Sequence, residues 1–268
     1  MKQSSILNPQ SSIRRKLRIG VFDSGLGGLT VVRSMLSLLS DVEIFYIADT
    51  VHAPYGEKTP PQILHYSLDI TQTFLDTHQI DALVIACNTA TSAAITQLRT
   101  QFPELVIVGT EPGIKPAMQV TQSGKVGILA TPATLKGDKY QELADSLYRG
   151  TEIELFEQAC PGLVEQIEAG EVESPETLQM LEEWLSPMRE AGVDTIVLGC
   201  THYPLVSAVI REVMGYPITL IETGSAISKR LQALLDIPQD GNRASFTLHA
   251  TGNINHQIVE KIMKSGNE

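Results

Sequence analysis

The sequence predicts an α/β protein built from two similar halves, each with a mostly parallel sheet. Three observations carry this. From residue 18 onward, short runs rich in β-branched residues alternate with stretches long enough to be helices, the pattern of repeated β-α-β units. The runs are apolar throughout, as expected of strands covered on both faces. The chain also repeats itself. DALVIACNTA at 81–90 resembles DTIVLGCTHY at 194–203, and IGVFDSG at 19–25 resembles VGILATP at 126–132, so two strand-plus-loop units recur at offsets of 113 and 107 residues. At 268 residues the chain has room for two domains of roughly 150 residues each.

The expected strands, in order, cover 18–22, 42–48, 81–86, 105–109, 125–130, 153–158, 194–199 and 218–222. Two of the intervening helices are sharply marked. Residues 60–77 open on Pro60 and Pro61 and set Ile63, Leu64, Leu68 and Leu75 on one side, with proline placed where a missing N–H costs nothing. Residues 174–191 have Ser174 to cap the first turn, Pro175 at the first helical position and Gly192 just past the end. Residues 1–17 are basic and contain no continuous apolar core. They are expected to form a disordered arm; a secretory signal is not expected, although a transit peptide shares this composition.

Lys and Arg number 20 against 31 Asp and Glu, a net charge of −11, and five of the cations (Lys2, Arg14, Arg15, Lys16 and Arg18) sit in or beside the arm. The acidic body argues against a nucleic-acid partner, because phosphate binding needs clustered Lys and Arg. No apolar run reaches the ~18 residues needed to span a membrane. Cys87, Cys160 and Cys200 are an odd count without C-x-x-C spacing, which predicts free thiols in a reducing compartment and hence a cytoplasmic protein.

In open α/β sheets ligands bind beyond the carboxyl ends of the strands, and five loops there stand out. Asp23-Ser24-Gly25-Leu26-Gly27-Gly28 follows the first strand and opens a helix. It lacks a dinucleotide fingerprint and a P-loop lysine, and reads either as a capped tight turn or as a loop that binds a carboxylate. The loop from Asp49 to Gly56 contains a rigid Pro54-Tyr55-Gly56 turn that Asp49 is placed to cap. Cys87-Asn88-Thr89 and Cys200-Thr201-His202 end matched strands in the two halves. A free Cys is commonly a small buried hydrophobe, but a thiol at a strand-to-helix turn can be held as thiolate by the helix dipole. His202 with two distant cysteines is a thin set for zinc, and no metal is expected. Thr131-Pro132-Ala133-Thr134 is the second half's counterpart of the Asp23 loop, and Cys160, which has no matching partner, reads as structural.

These loops resemble the glutamate racemases of the cofactor-independent aspartate/glutamate racemase superfamily. The likeness is collinear from Ile19 to about Glu222 through GVFDSGLGG, IADTVHAPYG, ACNTAT, TEPGIKPA, ILATPATL, QACP, LGCTHYPL and ETG. It implies interconversion of L- and D-glutamate by a two-base proton transfer at Cα, without cofactor, supplying D-glutamate for peptidoglycan. It implies Cys87 and Cys200 as bases on opposite faces of Cα, the first acting on D-glutamate and the second on L-glutamate. Asp23 would support Cys87, and His202 with Glu168 would support Cys200, Glu165 being the other candidate for that role. Substrate contacts carry over to Asp23, Ser24, Tyr55, Gly56, Asn88, Thr89, Thr201 and His202, with Pro54 and Thr131 as neighbours. The implied fold is two pseudo-symmetric three-layer α/β domains with the site in the cleft between them. The first domain would span 18–109 plus 222–268, including a C-terminal strand and helix, and the second 110–221. A homodimer is implied as well.

Two departures from the family pattern are visible: His52 stands where the family usually has Arg, and Gly162-Leu163-Val164 follows Cys160-Pro161 where a Leu-Phe and a further Pro are usual. The competing readings are a racemase of another acidic amino acid such as aspartate, a one-thiol hydrolase or decarboxylase, and a non-catalytic binding or regulatory member of the fold. Retention of both Cys87 and Cys200 argues against the last two.

Overall fold

The computed structural model describes residues 15–148, 152–238 and 241–264. In chain order the elements are β1 (Leu17–Asp23), α1 (Leu29–Leu38), β2 (Val42–Ala48), α2 (Pro60–His78), β3 (Ala82–Ile85), α3 (Asn88–Gln101), β4 (Val106–Gly109) and α4 (Ile114–Val120). They continue with β5 (Lys125–Ala130), α5 (Pro132–Lys136), α6 (Asp138–Tyr148), β6 (Glu154–Ala159), α7 (Leu163–Ala169), α8 (Pro175–Ala191) and β7 (Thr195–Gly199). The last are α9 (Ser207–Met214), β8 (Thr219–Ile221), α10 (Gly224–Leu235), β9 (Ser245–Ala250) and α11 (His256–Lys264). The expected basic arm lies outside the described residues up to position 14, and Leu17, its last expected residue, already opens β1.

The strands form two sheets, ordered β4-β3-β1-β2-β9 and β6-β5-β7-β8, and every pairing between named strands is parallel. Read from the other edge, the second sheet runs β8-β7-β5-β6, the order of β4-β3-β1-β2 in the first. The repeats in sequence are therefore a repeat in topology: β5 occupies the place of β1, and β7 that of β3. The chain leaves the first sheet after Gly109 and comes back after Ile221, when α10 packs beside α1.

Strands apolar on both sides dictate three layers. In the first sheet Ile19, Val21, Ile44, Tyr46 and Val84 pack with α1, α10 and α11, while Phe22, Leu83 and Ile85 pack with α2 and α3 on the other face. In the second, Leu129, Ile196 and Leu198 face α7, α8 and α9, and Val126, Ile128 and Val197 face α4 and α6. β9 is half polar and partly exposed, as befits an edge strand, and so is β6 at the edge of the second sheet. The two helices with clear end signals form nearly as expected. Thr59 and Gln62 close a capping box on α2, and in α8 the Ser174 hydroxyl accepts from the Thr177 N–H at 3.2 Å while Gly192 ends the helix in the left-handed region at φ 76°.

One carboxylate pins the second sheet. Asp194, just before β7, accepts from the Thr121 hydroxyl at 2.6 Å, the Gln122 and Ser123 N–H groups at 2.7 Å each, and the Thr195 hydroxyl at 2.9 Å. Burial works against its charge, but these four donors outweigh it and hold its pKa at about 2. A depressed pKa stabilises the fold above the ordinary carboxyl value of about 3.9 and loses that contribution as pH falls toward 2. Asp194→Asn is therefore expected to lower the thermal midpoint near neutral pH by an amount corresponding to about 1–3 kcal/mol. The gap from wild type should narrow steadily as the medium is acidified, and a gap independent of pH would refute the assignment.

Candidate active site

The carboxyl ends of the matched strands bring their loops to one cavity. Asp23 is the last residue of β1, Cys87 is the N-cap of α3 after β3, Thr131 is the N-cap of α5 after β5, and Cys200 directly follows β7. Asp23, Ser24, Pro54, Tyr55, Gly56, Cys87, Asn88, Thr89, Thr131, Cys200, Thr201 and His202 all line a cavity of about 70 Å³; of the site residues expected from sequence, only Glu168 does not. Both thiols are buried, Cys87 at 6% and Cys200 at 8% exposure. Hydrogen bonds stitch the halves together around them. The Asn88 amide donates to the Gly199 carbonyl at 2.6 Å, Thr201 donates to Asp23 Oδ2 at 3.1 Å, and the Thr89 and Thr131 hydroxyls lie 3.0 Å apart.

The glycine-rich loop is a turn capped by its own Asp23, and it also receives the carboxylate of Glu168. Asp23 accepts from the Ser24 N–H at 2.7 Å and the Gly28 N–H at 2.5 Å. Glu168, reaching over from α7, accepts from the Leu26 N–H at 2.8 Å. The glycines make that approach possible: a Cβ on Gly25 would lie 1.9 Å from Glu168 Oε1, and one on Gly27 would lie 2.3 Å from His202 Nδ1. None of these glycines has a positive φ, so the requirement is space.

Glu168 Oε1 sits 2.7 Å from His202 Nε2, and His202 Nδ1 sits 3.7 Å from Cys200 Sγ. The Gly27 N–H is also 3.1 Å from Nε2. One nitrogen cannot donate to Glu168 and accept from Gly27 at once. Burial disfavours an ionised Glu168, but the His202 contact and the Leu26 N–H outweigh it and hold the carboxyl below the usual glutamate range, so Nε2–H donates to Glu168. Burial likewise disfavours a charged His202, yet Cys200, Glu168 and Asp23 push it well above an ordinary histidine. An imidazolium thus faces the Cys200 sulfur. Glu165, the other candidate for this role, is exposed and lines the cavity instead.

Cys87 has a different setting. Its Sγ accepts from the Ala90 N–H at 3.4 Å in the first turn of α3, but burial, and then the neighbouring Asp23, push its pKa well above that of a free thiol. Asp23 is itself raised, chiefly by burial, against the pull of His202 and its backbone donors. A cation entering here would reverse the balance for both groups. The Asn88 Oδ1 is buried without a hydrogen-bond partner, and the lining contains no Lys or Arg. The lining thus offers amide and hydroxyl groups beside the buried carboxylate of Asp23.

Cys160, read from sequence as structural, also forms part of the cavity wall. Its thiol is directed at the Gln158 carbonyl (3.6 Å), and burial pushes its pKa to about 12, so it stays protonated beside the other two. Thr134, in the loop already singled out but not itself expected at the site, bridges Thr89 and Thr131; Tyr46, whose hydroxyl donates to the Gly25 carbonyl at 2.6 Å, carries no sequence signal of its own. Among the described residues no cluster of three or more His, Cys, Asp or Glu is arranged to hold a metal ion, and no helix is long and apolar enough to cross a membrane.

Comparison with known proteins places the chain in a family. Residues 19–231 match the family model described as Asp/Glu/Hydantoin racemase. The chain is 60% identical over 249 residues to a glutamate racemase of Sulfurovum sp. strain NBC37-1, covering 92% of this chain and 94% of that one. It is 56% identical over 253 residues to the glutamate racemase of Aliarcobacter butzleri, covering 94% and 97%. Among solved structures, the Escherichia coli glutamate racemase in complex with L-glutamate and the activator UDP-MurNAc-Ala superposes with a TM-score of 0.79 at 31% identity, covering 92% of both chains. On these matches the chain belongs to the Asp/Glu/Hydantoin racemase family and is an isomerase, an amino-acid racemase.

Proposed function

We propose that the protein interconverts L- and D-glutamate, with Cys87 and Cys200 as the two bases. The observation that carries this is the pair of buried thiols at equivalent positions of two repeated sheets, both lining one cavity and each with its own acid–base neighbour. Inverting a stereocentre by proton transfer requires one group to remove the Cα proton and another to return a proton on the opposite face. A free thiol titrates near about 8.5, close enough to neutrality to act in either sense once its surroundings are tuned. Turnover leaves the first thiolate as thiol and the second thiol as thiolate, so one pair serves both directions.

The two settings divide the labour. Burial and Asp23 hold Cys87 as thiol; the substrate ammonium, placed against Asp23, supplies the positive charge that lowers it. On the other side His202, held by Glu168 and pushed toward its charged form, directs Nδ1 at the Cys200 sulfur, where a proton can pass to or from Cα. The ammonium also meets the unpartnered Asn88 Oδ1. Ser24, Thr89 and Thr201, with the first-turn N–H groups of α3, receive the carboxylates, and Pro54, Tyr55, Gly56 and Thr131 complete the walls. Displacement of water from the cavity by the substrate strengthens each of these interactions. The D-glutamate formed serves peptidoglycan synthesis.

The test is isotopic. Either enantiomer incubated in D2O is expected to yield product deuterated at Cα, read by proton NMR. Product without deuterium at Cα would rule out a solvent-exchanging thiol as the returning acid.

A further inference from the structure

We propose that His52 and Thr251 are positioning residues that hold the Pro54-Tyr55-Gly56 wall of the cavity in place through the buried carboxylate of Asp49. The inference rests on the assignment of glutamate as substrate. Neither His52 nor Thr251 lines the cavity, and neither does Asp49; their effect runs through Tyr55.

Asp49 is 1% exposed and follows β2 directly. A carboxylate so buried is tolerated only when donors surround it, and three side chains do. The Tyr55 hydroxyl donates to Oδ2 at 2.6 Å, His52 Nδ1 lies 2.9 Å from Oδ2 and 3.0 Å from Oδ1, and the Thr251 hydroxyl donates to Oδ1 at 2.9 Å. The donors arrive from different parts of the fold. Tyr55 is in the wall itself, at 1% exposure. Thr251 comes just after β9, and the two loops are further joined by Val51 N–H to the Thr251 hydroxyl (3.1 Å) and Gly252 N–H to the Thr50 hydroxyl (2.9 Å). His52 is fixed from a third side, stacked on Tyr66 of α2 with ring centroids 3.8 Å apart and planes 14° apart. The carboxylate is thus a hub that ties the cavity wall to β9 and α2. Removing a donor leaves part of a buried anion unsatisfied and frees Tyr55 to follow Asp49.

Neither His52, Asp49 nor Thr251 lines the cavity, and the hub's hydrogen bonds run to Tyr55 and not to a sulfur, so its loss acts on the wall and weakens binding of ground state and transition state alike. That pattern appears in KM with kcat preserved. Two substitutions separate the hydrogen bond from the stacking. His52→Phe keeps a ring on Tyr66 and loses the donor; His52→Asn loses the ring and keeps an N–H close to the place of Nδ1. His52→Phe is expected to raise KM for both enantiomers about five- to tenfold with kcat within about twofold, and His52→Asn to stay within about twofold of wild type. At the other end of the hub, Thr251→Val should raise KM in the same way and Thr251→Ser should not, which keeps the test alive if a position 52 variant folds poorly. Thermal unfolding of each variant accompanies the kinetics. Unchanged KM in both His52→Phe and Thr251→Val, equal effects of Phe and Asn at position 52, or a fall in kcat at constant KM would each overturn the positioning role. A wild-type enzyme that converts neither enantiomer of glutamate would overturn the substrate assignment instead.

Discussion

Cys87→Ser and Cys200→Ser are each expected to abolish racemisation in both directions while leaving one half of the proton chemistry intact. Serine fills the place of the thiol but is far too weak an acid to exchange a proton with Cα near neutrality. Loss of one acid–base group costs about 10²- to 10⁴-fold in rate, and here the lost group is required in both directions. Because the two enantiomers are equal in free energy, kcat/KM for the two directions must fall by the same factor in any variant. Steady-state rates alone therefore cannot say which thiol serves which enantiomer. Isotope exchange can. With Cys200 gone, the remaining Cys87 still removes and returns a proton on its own face, so Cys200→Ser should wash deuterium into D-glutamate without forming L-glutamate. Cys87→Ser should do the reverse. Circular dichroism follows racemisation and proton NMR follows exchange. Near-wild-type racemisation by either variant would end the two-thiol model, and exchange into the opposite enantiomer would reverse the assignment of faces.

The pairing of the thiols was legible in the chain because each sits in a repeated context. A strand ending in Cys-Asn-Thr and a second ending in Cys-Thr-His, spaced like the Asp23 and Thr131 loops, predict equivalent places in two sheets, and the strand orders place them there. Contacts between side chains far apart in sequence were not legible in this way. The choice between Glu165 and Glu168 depends on where one turn of α7 points, and the structure turns Glu168 toward His202. The Asp23–Gly28 loop is an instructive intermediate case. Its composition leaves open a capped turn or a loop that binds a carboxylate; the structure shows Asp23 capping the turn, and nothing in the local sequence could say that Glu168 would dock on the same loop. Cys160 was read from the absence of a partner in the repeat, and that criterion does not register which side of β6 its thiol ends up on. The His52–Asp49–Thr251 hub spans some two hundred residues of sequence; the local pattern places Asp49 at the Pro54-Tyr55-Gly56 turn, and nothing in it points to Thr251.

Gly27→Ala is expected to be the most damaging single methyl group that can be added to the site. The new Cβ would fall 2.3 Å from Nδ1 and 2.6 Å from Cγ and Cε1 of His202. That ring is 2% exposed and is held between Glu168 and Cys200, so it cannot move aside without losing the geometry that supports the second thiol. Overpacking of this kind costs about 1–3 kcal/mol of stability. The catalytic loss should be larger, about 10²-fold in kcat or more, because Cys200 loses its imidazolium. Gly25→Ala offers the internal comparison. Its Cβ would meet Glu168 Oε1 at 1.9 Å, but that atom ends a flexible side chain, which can swing away at the cost of the Leu26 and His202 contacts, so the loss should be smaller. If the glycines served instead to let backbone amides approach a substrate carboxylate, both substitutions would act on KM and in similar measure. A double-mutant cycle decides between the two. If the Gly27 methyl acts through the imidazole, adding it to a His202→Ala background should cost little further activity, because the ring it displaces is already gone; a full additional loss in that background would show that the glycine serves something other than His202.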